Sequence, residues 1–213
     1  MAAREYGQYC GVTRALELVG ERWALLIVRD LLVGPRRYGE LAAGLPRIPS
    51  NILAARLKEL QAAGVIRRIP RLRVVVYELT PYGRELEPVV LALGAWGHRA
   101  LGEPREEQIV TPDSMAIALR SAFRPGAAAE LPGTAYAARF DEGSLLIRVD
   151  GGALALTRGD GPVDLAIAGG PGIHRLLTGD LAPALALETG AVEVLEGREA
   201  LLARFARTFR LAA

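Results

Sequence analysis

The sequence is poor in the residues that build disulfide, metal and many catalytic sites. Its 213 residues include one cysteine, Cys10, and two histidines, His98 and His174, and aromatic residues make up 6%. One cysteine excludes an intrachain disulfide and a zinc site built on several cysteines. Neither histidine stands in a metal-binding spacing such as HExxH, so we expect both to be satisfied within the fold or to face solvent. We therefore expect no metal, no cofactor and no enzyme activity.

The sequence also lacks the signals of a membrane or exported protein. No apolar run reaches the roughly 18 residues that a membrane-spanning helix requires. Met1-Ala2-Ala3-Arg4-Glu5 does not begin the apolar core of a signal peptide, so we expect a cytoplasmic protein without a membrane partner. Hydrophobic residues make up 51% and charged residues 23% of the chain, which is typical of a folded protein and excludes a disordered one.

Lysine is nearly absent, because Lys58 is the only one, and arginine carries almost all the positive charge. Most of that preference is a compositional bias. The bias does not explain why residues 1–102 hold 15 basic and 9 acidic residues, a net charge of +6, whereas the remaining residues sum to −4. The asymmetry indicates that the first half contacts a polyanion.

A charged segment with proline and glycine, Gly102-Glu103-Pro104-Arg105-Glu106-Glu107, predicts a linker at about 102–111. We expect an α+β protein with two domains, 1–102 and 112–213. In the first, apolar spacing and turn residues predict four helices, a hairpin and a long helix. Their expected bounds are 13–19, 21–33, 37–43, 50–63, the strands 65–69 and 73–79 around Pro70-Arg71-Leu72, and 80–101.

This order of elements is that of a winged helix-turn-helix. Leu53, Leu57 and Leu60 predict the buried stripe of the fourth helix, which Ser50 can cap. The opposite face carries small and polar residues that fit a DNA major groove, where Asn51 can pair with adenine and Lys58 can reach guanine. Arginines of the hairpin and of the third helix can hold phosphates, although a merely solvated face remains the alternative. The predicted DNA-binding residues are Arg36, Arg37, Ser50, Asn51, Ala54, Ala55, Arg56, Lys58, Arg67, Arg68, Arg71 and Arg73.

Several motifs in this half resemble the HxlR-type transcriptional regulators over about residues 8–100. They are Cys10-Gly11-Val12-Thr13-Arg14, Gly20-Glu21-Arg22-Trp23, Gly34-Pro35-Arg36-Arg37-Tyr38-Gly39-Glu40-Leu41, Ser50 to Leu60, and Tyr77-Glu78-Leu79-Thr80-Pro81. The resemblance implies a DNA-binding transcriptional regulator, and we expect it to act as a repressor. It further implies a homodimer joined through the first and last helices, on a two-fold operator. Gly11 departs from the proline common in the family, and the wing around Pro70 is short.

Cys10 matches a cysteine that acts as a redox switch in some relatives. A sensor thiol must be exposed and have a lowered pKa. The alternative, which we favour, is a small residue packed beneath the dimer helix.

The second half predicts helices around a mainly antiparallel sheet. Its expected elements are a helix at 113–123, strands at 135–140, 145–149, 154–156 and 163–168, helices at 171–178 and 180–188, a strand at 191–195, and a helix at 197–208. Ile167-Ala168-Gly169 and Ala191-Val192-Glu193-Val194-Leu195-Glu196-Gly197 resemble the sterol-carrier-protein-like fold, which implies an apolar pocket between sheet and helices. The candidate lining residues, which could equally form a solid core, are Met115, Leu119, Phe123, Tyr136, Leu146, Leu177, Leu185, Phe205 and Phe209.

These observations lead to one functional hypothesis and one alternative. The hypothesis is a DNA-binding regulator whose second domain binds a small hydrophobic effector that shifts the dimer between two states. The alternative is a carrier of lipid or another hydrophobic ligand that uses the first half only for dimerisation.

Overall fold

The computed structural model describes residues 5–71, 73–102, 104–105 and 107–211. The chain divides into two compact units, Met1–Val90 and Leu91–Ala213. The division lies inside a helix, Glu87–His98, and not at the predicted linker, although the described residues of 101–110 form neither helix nor strand. Residues 1–4, Leu72, Glu103 and Glu106, to which parts of the signal-peptide, wing-tip and linker predictions refer, lie outside the described residues.

The first unit consists of helices that surround a leucine-rich core and a two-stranded antiparallel hairpin. Ile27, Leu31, Leu41 and Leu53 are fully buried at its centre. The elements are α1 (Gly11–Val19), α2 (Ala24–Val33), α3 (Tyr38–Gly44), α4 (Ser50–Ala62), β1 (Ile66–Arg71), β2 (Val74–Leu79), α5 (Pro81–Arg84) and α6 (Glu87–His98), the last of which continues into the second unit.

The helix predicted over 80–101 is two helices in the structure. Thr80 caps α5, because its hydroxyl oxygen accepts a hydrogen bond from the Gly83 amide at 3.0 Å, and Pro81 follows at the first helical position. A β-carbon on Gly83 would lie 2.0 Å from the Val65 carbonyl oxygen, so the backbone of α5 packs directly on the start of the hairpin. This contact fixes the short α5, and α6 begins separately after Glu85.

The second unit is a five-stranded sheet with helices, as the predicted α+β class requires. The strand order is β5-β4-β3-β6-β7, and every neighbouring pair is antiparallel except β3 and β6. The short helix α8 was not predicted. The elements are α7 (Pro112–Ala122), α8 (Pro125–Ala129), β3 (Thr134–Phe140), β4 (Gly143–Asp150), β5 (Ala153–Arg158), β6 (Leu165–Ala168), α9 (Gly170–Thr178), α10 (Pro183–Glu188), β7 (Glu193–Gly197) and α11 (Ala200–Thr208).

The two faces of this sheet differ in what covers them. Tyr136, Ile147 and Leu165 are cross-strand neighbours, share one face, and are at most 1% exposed. Leu146 lies on the opposite face, because successive side chains alternate along a strand. There the connection from β5 to β6 covers it, since a β-carbon on Gly161 would lie 3.4 Å from Leu146 Cδ2. Leu146 therefore cannot line a pocket together with Tyr136, which corrects that prediction.

The other predicted pocket residues form a closely packed core, apart from one. The Phe205 ring lies 5.3 Å from the Tyr136 ring and 4.8 Å from the Phe209 ring, centroid to centroid. Phe123 contacts Phe209 in the same way, at 5.8 Å. Met115, Leu119 and Leu177 are fully buried. Leu185 on α10 is 47% exposed, so it does not belong to this core, and its prediction as a lining residue is wrong.

The two histidines meet in the second unit. His98 Nδ1 lies 2.8 Å from the Gly94 carbonyl oxygen, and His98 Nε2 lies 3.3 Å from His174 Nδ1. A carbonyl oxygen only accepts, so His98 carries its proton on Nδ1, and the neutral pair is satisfied when His174 Nδ1 donates to His98 Nε2. The expectation that both histidines are satisfied or solvent-facing is met by this mutual contact.

No described helix combines the length and the apolar character needed to cross a membrane.

The histidine pair predicts a pH dependence of stability. Burial, and then the nearby charge of His98, lowers the pKa of His174 from 6.5 to about 4. Between these values the unfolded chain binds a proton that the folded chain does not. The contribution of His174 to stability, up to about 3 kcal/mol, is therefore complete above pH 6.5 and is lost as the pH falls towards 4.

The measurement is urea-induced unfolding at pH 7 and pH 4.5 for the wild type and for His174→Asn. We expect the wild type to lose more unfolding free energy than the variant between the two pH values. The carboxylates titrate in both proteins and cancel in the comparison. An equal loss in both would contradict the assignment.

Candidate nucleic-acid interface

Helix α4 presents one face to the core of the first unit and the other to solvent. Leu53, Leu57 and Leu60, at positions i, i+4 and i+7, are at most 2% exposed and anchor the helix. The opposite side carries Asn51, Ala54 and Lys58, which are all exposed, while Ala55 is half-buried at its border. The exposed face is therefore shallow, with its polar side chains at the first and third turns.

A tyrosine on α3 holds the start of α4. The Tyr38 hydroxyl donates a hydrogen bond to the Ser50 carbonyl oxygen at 2.9 Å. Ser50 is exposed and is the first residue of α4, and Pro49 occupies the capping position without a side-chain hydrogen bond. The prediction that Ser50 caps the helix is therefore wrong, because the chain enters the helix one residue earlier. The backbone amides at this helix start remain suited to an anion.

Arg56 is held within the protein by two glutamates. Its Nη1 lies 2.5 Å from Glu59 Oε2 on the same helix and 3.5 Å from Glu21 Oε2, before α2. Its side chain is 11% exposed. We predicted that Arg56 holds a phosphate, but the structure instead gives it the role of joining α4 to the segment that precedes α2.

The hairpin, which we call the wing (residues 66–79), carries four exposed arginines: Arg67, Arg68, Arg71 and Arg73. Arg71 and Arg73, with Arg37 and Val74, line a hollow of about 550 Å³ at the wing. Arg37 stands at the N-cap of α3, where its backbone N–H donates to Glu40 Oε2 at 2.6 Å. Three of the predicted phosphate-binding arginines thus share one concave surface.

Arg36 does not share this surface, although it was predicted to. Its backbone pairs with Tyr77, with N···O distances of 2.9 and 2.7 Å, and so adds a one-residue third strand to the wing. The residue is 7% exposed, and its Nη1 donates to the Pro35 carbonyl oxygen at 2.9 Å. No local sequence pattern predicts this bridge, because it joins two residues 41 positions apart.

Two residues of this surface were missed by the sequence analysis as functional candidates. Tyr38 was taken only as part of a family motif, and so was Glu78, which accepts hydrogen bonds from both Arg67 and Arg71. A carboxylate opposite an arginine on a hairpin was the available signal for Glu78.

Cys10 lies at the N-cap of α1 and is exposed in the chain. The nearby backbone amides of Thr13 and Val12 lower the pKa of its thiol, because their N–H dipoles favour the thiolate. The packed environment that we favoured for Cys10 is not found within a single chain. Among the described residues, no group of three or more His, Cys, Asp or Glu side chains is arranged to hold a metal.

Known proteins resemble the part of the chain that carries this interface. The family model described as HxlR-like helix-turn-helix matches residues 18–105. An uncharacterized HTH-type transcriptional regulator of Mycobacterium bovis is 44% identical over 96 residues, which is 44% of this chain and 60% of the relative. The chain thus spans about three fifths of the length of that relative. The uncharacterized HTH-type transcriptional regulator YvaP of Bacillus subtilis is 38% identical over 86 residues, 39% of this chain and 80% of YvaP.

A solved structure also matches. The reduced form of the transcriptional regulator YodB from Bacillus subtilis has 33% sequence identity and a TM-score of 0.39, and it covers 46% of this chain and 100% of that one.

The thiol of Cys10 is predicted to react faster than an ordinary cysteine at neutral pH. Its lowered pKa gives a larger thiolate fraction, and the thiolate is the nucleophile. The rate of alkylation by iodoacetamide is measured against pH for the native protein and for the same protein unfolded in urea. The midpoint of the native profile should lie below that of the unfolded profile. Coincident midpoints would show that the backbone amides at the start of α1 do not act on the thiol.

Proposed function

The chain belongs to the HxlR-like helix-turn-helix family, and from this premise we propose that it binds duplex DNA as a homodimer and represses transcription at a two-fold operator. In this proposal α4 of each subunit enters a major groove, and the two half-sites lie about 34–36 Å apart. The bound dimer excludes other proteins from the DNA that it covers. The cytoplasm, where bacterial promoters are accessible, is the proposed location.

The observation that carries the proposal is the shallow exposed face of α4 beside an arginine-rich wing. Short side chains such as Ala54 let the helix backbone approach the base edges. Asn51 can then pair with adenine, and Lys58 can reach guanine. Both side chains are exposed. On the other side of the helix, Leu53, Leu57 and Leu60 are buried and anchor it in the core.

The exposed arginines supply the contacts that do not depend on sequence. Arg37, Arg71 and Arg73 surround one hollow, and phosphate oxygens match guanidinium donors in charge and geometry. Arg67 lies on the same face of the wing as Arg71, whereas Arg68 lies on the opposite face, because side chains alternate along a strand. Ser50 is exposed at the start of α4. Arg36 and Arg56 are left out of the proposed contact set, because the first is buried and the second is held by glutamates.

Exposed apolar stripes on two helices support the homodimer. On α6, Val89, Leu93 and Trp96 recur at i, i+4 and i+7 and are 52%, 48% and 71% exposed. On α1, Val12 and Leu16 are 69% and 47% exposed. Contiguous exposed apolar residues at helical spacing are typical of an interface. We therefore assign these two stripes to the contact between subunits.

Control of DNA binding is proposed to reside in the second unit. A small apolar ligand would bind between its sheet and helices and favour one of two dimer states. The support is an acidic unit with an apolar inner sheet face, joined to a basic unit that carries the DNA-binding elements. Because Phe205, Phe209 and Tyr136 fill the space between sheet and helices, such a ligand has to displace part of this packing. The exposed Cys10 is a second proposed input, as a redox-sensitive thiol.

Substitution of Asn51 tests base recognition. Duplexes that the wild type selects from a random library are compared with a mixed-sequence duplex in a mobility-shift assay. Asn51→Ala should weaken binding to the selected duplex by about 1–3 kcal/mol and relax the preference at one base position, because it removes a base contact. Arg73→Ala is the control and should weaken binding to both duplexes alike. Equal losses on both duplexes for Asn51→Ala would remove it from the base-reading set.

Failure of the wild type to bind any duplex would overturn the function itself. The salt dependence gives an independent reading, since a protein that neutralises phosphates loses affinity steeply as salt rises.

Substitution of Leu93 tests the dimer. A glutamate in the middle of the α6 stripe would place a charge in the proposed interface, where desolvation opposes association. Leu93→Glu should therefore shift the mass measured by light scattering from dimer to monomer. Leu185→Glu changes another leucine of similar exposure, 47%, and should remain dimeric. A monomeric wild type, or dissociation of both variants, would contradict the assigned interface.

A further inference from the structure

Glu78 on β2 holds two of the exposed wing arginines at once. Arg67 is its cross-strand partner in the register of the hairpin. Glu78 Oε1 accepts from Arg67 Nε at 2.7 Å, and Glu78 Oε2 accepts from Arg71 Nη2 at 3.3 Å. Each carboxylate oxygen therefore serves one guanidinium, and the two arginines lie at a fixed separation on one side of the wing.

The exposure of these side chains is graded. The Glu78 side chain is 12% exposed, whereas the Arg67 and Arg71 side chains are 57% and 58% exposed. The carboxylate is thus sheltered while the guanidinium groups face solvent. A guanidinium has five N–H donors, so each arginine retains donors for a second partner after binding Glu78. A phosphate approaching the wing would meet the arginines and not the carboxylate.

We propose that Glu78 is a specificity-determining residue, which limits binding to unrelated DNA by positioning Arg67 and Arg71 and by cancelling one of their two positive charges. The inference rests on the proposed DNA-binding function. Attraction to phosphates accounts for nearly all binding to non-specific DNA and grows with each free positive charge. Contacts to base edges require a defined register, which fixed phosphate contacts provide. A carboxylate that restrains two arginines therefore weakens binding to non-specific DNA and helps to hold the register that base contacts require.

The contribution of Glu78 to folding is small, which makes the residue suitable for substitution. The Arg67 and Arg71 side chains are more than half exposed, so water screens their ion pairs with Glu78, and solvent-screened pairs stabilise proteins little. We expect Glu78→Gln to shift the Tm by less than about 4 °C. Glu85→Gln is the matched control, because it removes the same charge from an exposed glutamate of the first unit outside the wing.

The experiment measures the dissociation constants of the full chain for two duplexes over a series of salt concentrations. One is a 30-base-pair duplex that the wild type selects from a random library, and the other is a mixed-sequence duplex of equal length. Glu78→Gln should bind the mixed-sequence duplex roughly five-fold more tightly, with a salt slope steeper by about 1. Its ratio of selected to mixed binding should fall. Glu78→Asp keeps the charge but shortens the reach, so its slope should stay that of the wild type while the ratio falls.

The outcomes separate this inference from the function on which it rests. A selective wild type, together with a Glu78→Gln variant whose ratio and slope match those of the wild type and Glu85→Gln, would overturn the role of Glu78 alone. Equal changes in Glu78→Gln and Glu85→Gln would also overturn it, since they would reduce the effect to net charge. A wild type that binds neither duplex would overturn the proposed function and this role with it.

Discussion

The packing of one leucine stripe determines which face of α4 is proposed to touch DNA. Leu53, Leu57 and Leu60 are inserted into the core of the first unit, and this alone decides which side of α4 faces solvent. Replacing buried leucines typically costs about 2–5 kcal/mol, so the helix cannot rotate about its axis without losing much of the stability of the unit. Asn51 and Lys58 are exposed because they lie on the side of α4 opposite the buried leucines. The Tyr38–Ser50 hydrogen bond and the Arg56–Glu21 ion pair then hold the start and the middle of the same helix.

The arginines of the first unit are not equivalent, although composition treats them alike. The backbone of Arg36 pairs with Tyr77 at the edge of the wing, and the side chain of Arg56 joins α4 to the segment before α2. Arg67 and Arg71 share one carboxylate. Counting basic residues therefore overstates the positive charge available to a polyanion. Among the exposed arginines, Arg37, Arg67, Arg68, Arg71 and Arg73 lie at the start of α3 and on the wing. Arg14, Arg22, Arg47 and Arg84 are also exposed but lie on other segments of the unit.

Periodicity and turn residues predicted the local structure of the first unit well, because the signals are local. The leucine spacing of α4, the cap at Thr80 and the hairpin all follow from residues within a few positions of one another. Arg36 was misplaced because its bridge to Tyr77 joins segments distant in sequence. The ion pair of Arg56 with Glu21 is also distant in sequence, but its shorter ion pair with Glu59, at i+3, was a local signal. In the second unit, the strands and the mainly antiparallel pairing were predicted. The side of the sheet on which Leu146 lies was not, because it follows from the register of β3 and β4, which pairs Tyr136 with Ile147 and not with Leu146.

The second unit differs from the first in how its core is packed. Its inner sheet face and its aromatic side chains form a filled core, so any effector must compete with existing packing.

Our main proposal is that the α4 helices of the two subunits read base edges in two successive major grooves. Methylation interference on a selected duplex tests it most directly, since methylation of dG at N7 blocks the major groove alone. If both helices bind in this way, we expect interference at two symmetric positions separated by about one helical turn of DNA. Interference absent from the major groove, or confined to a single position, would contradict it.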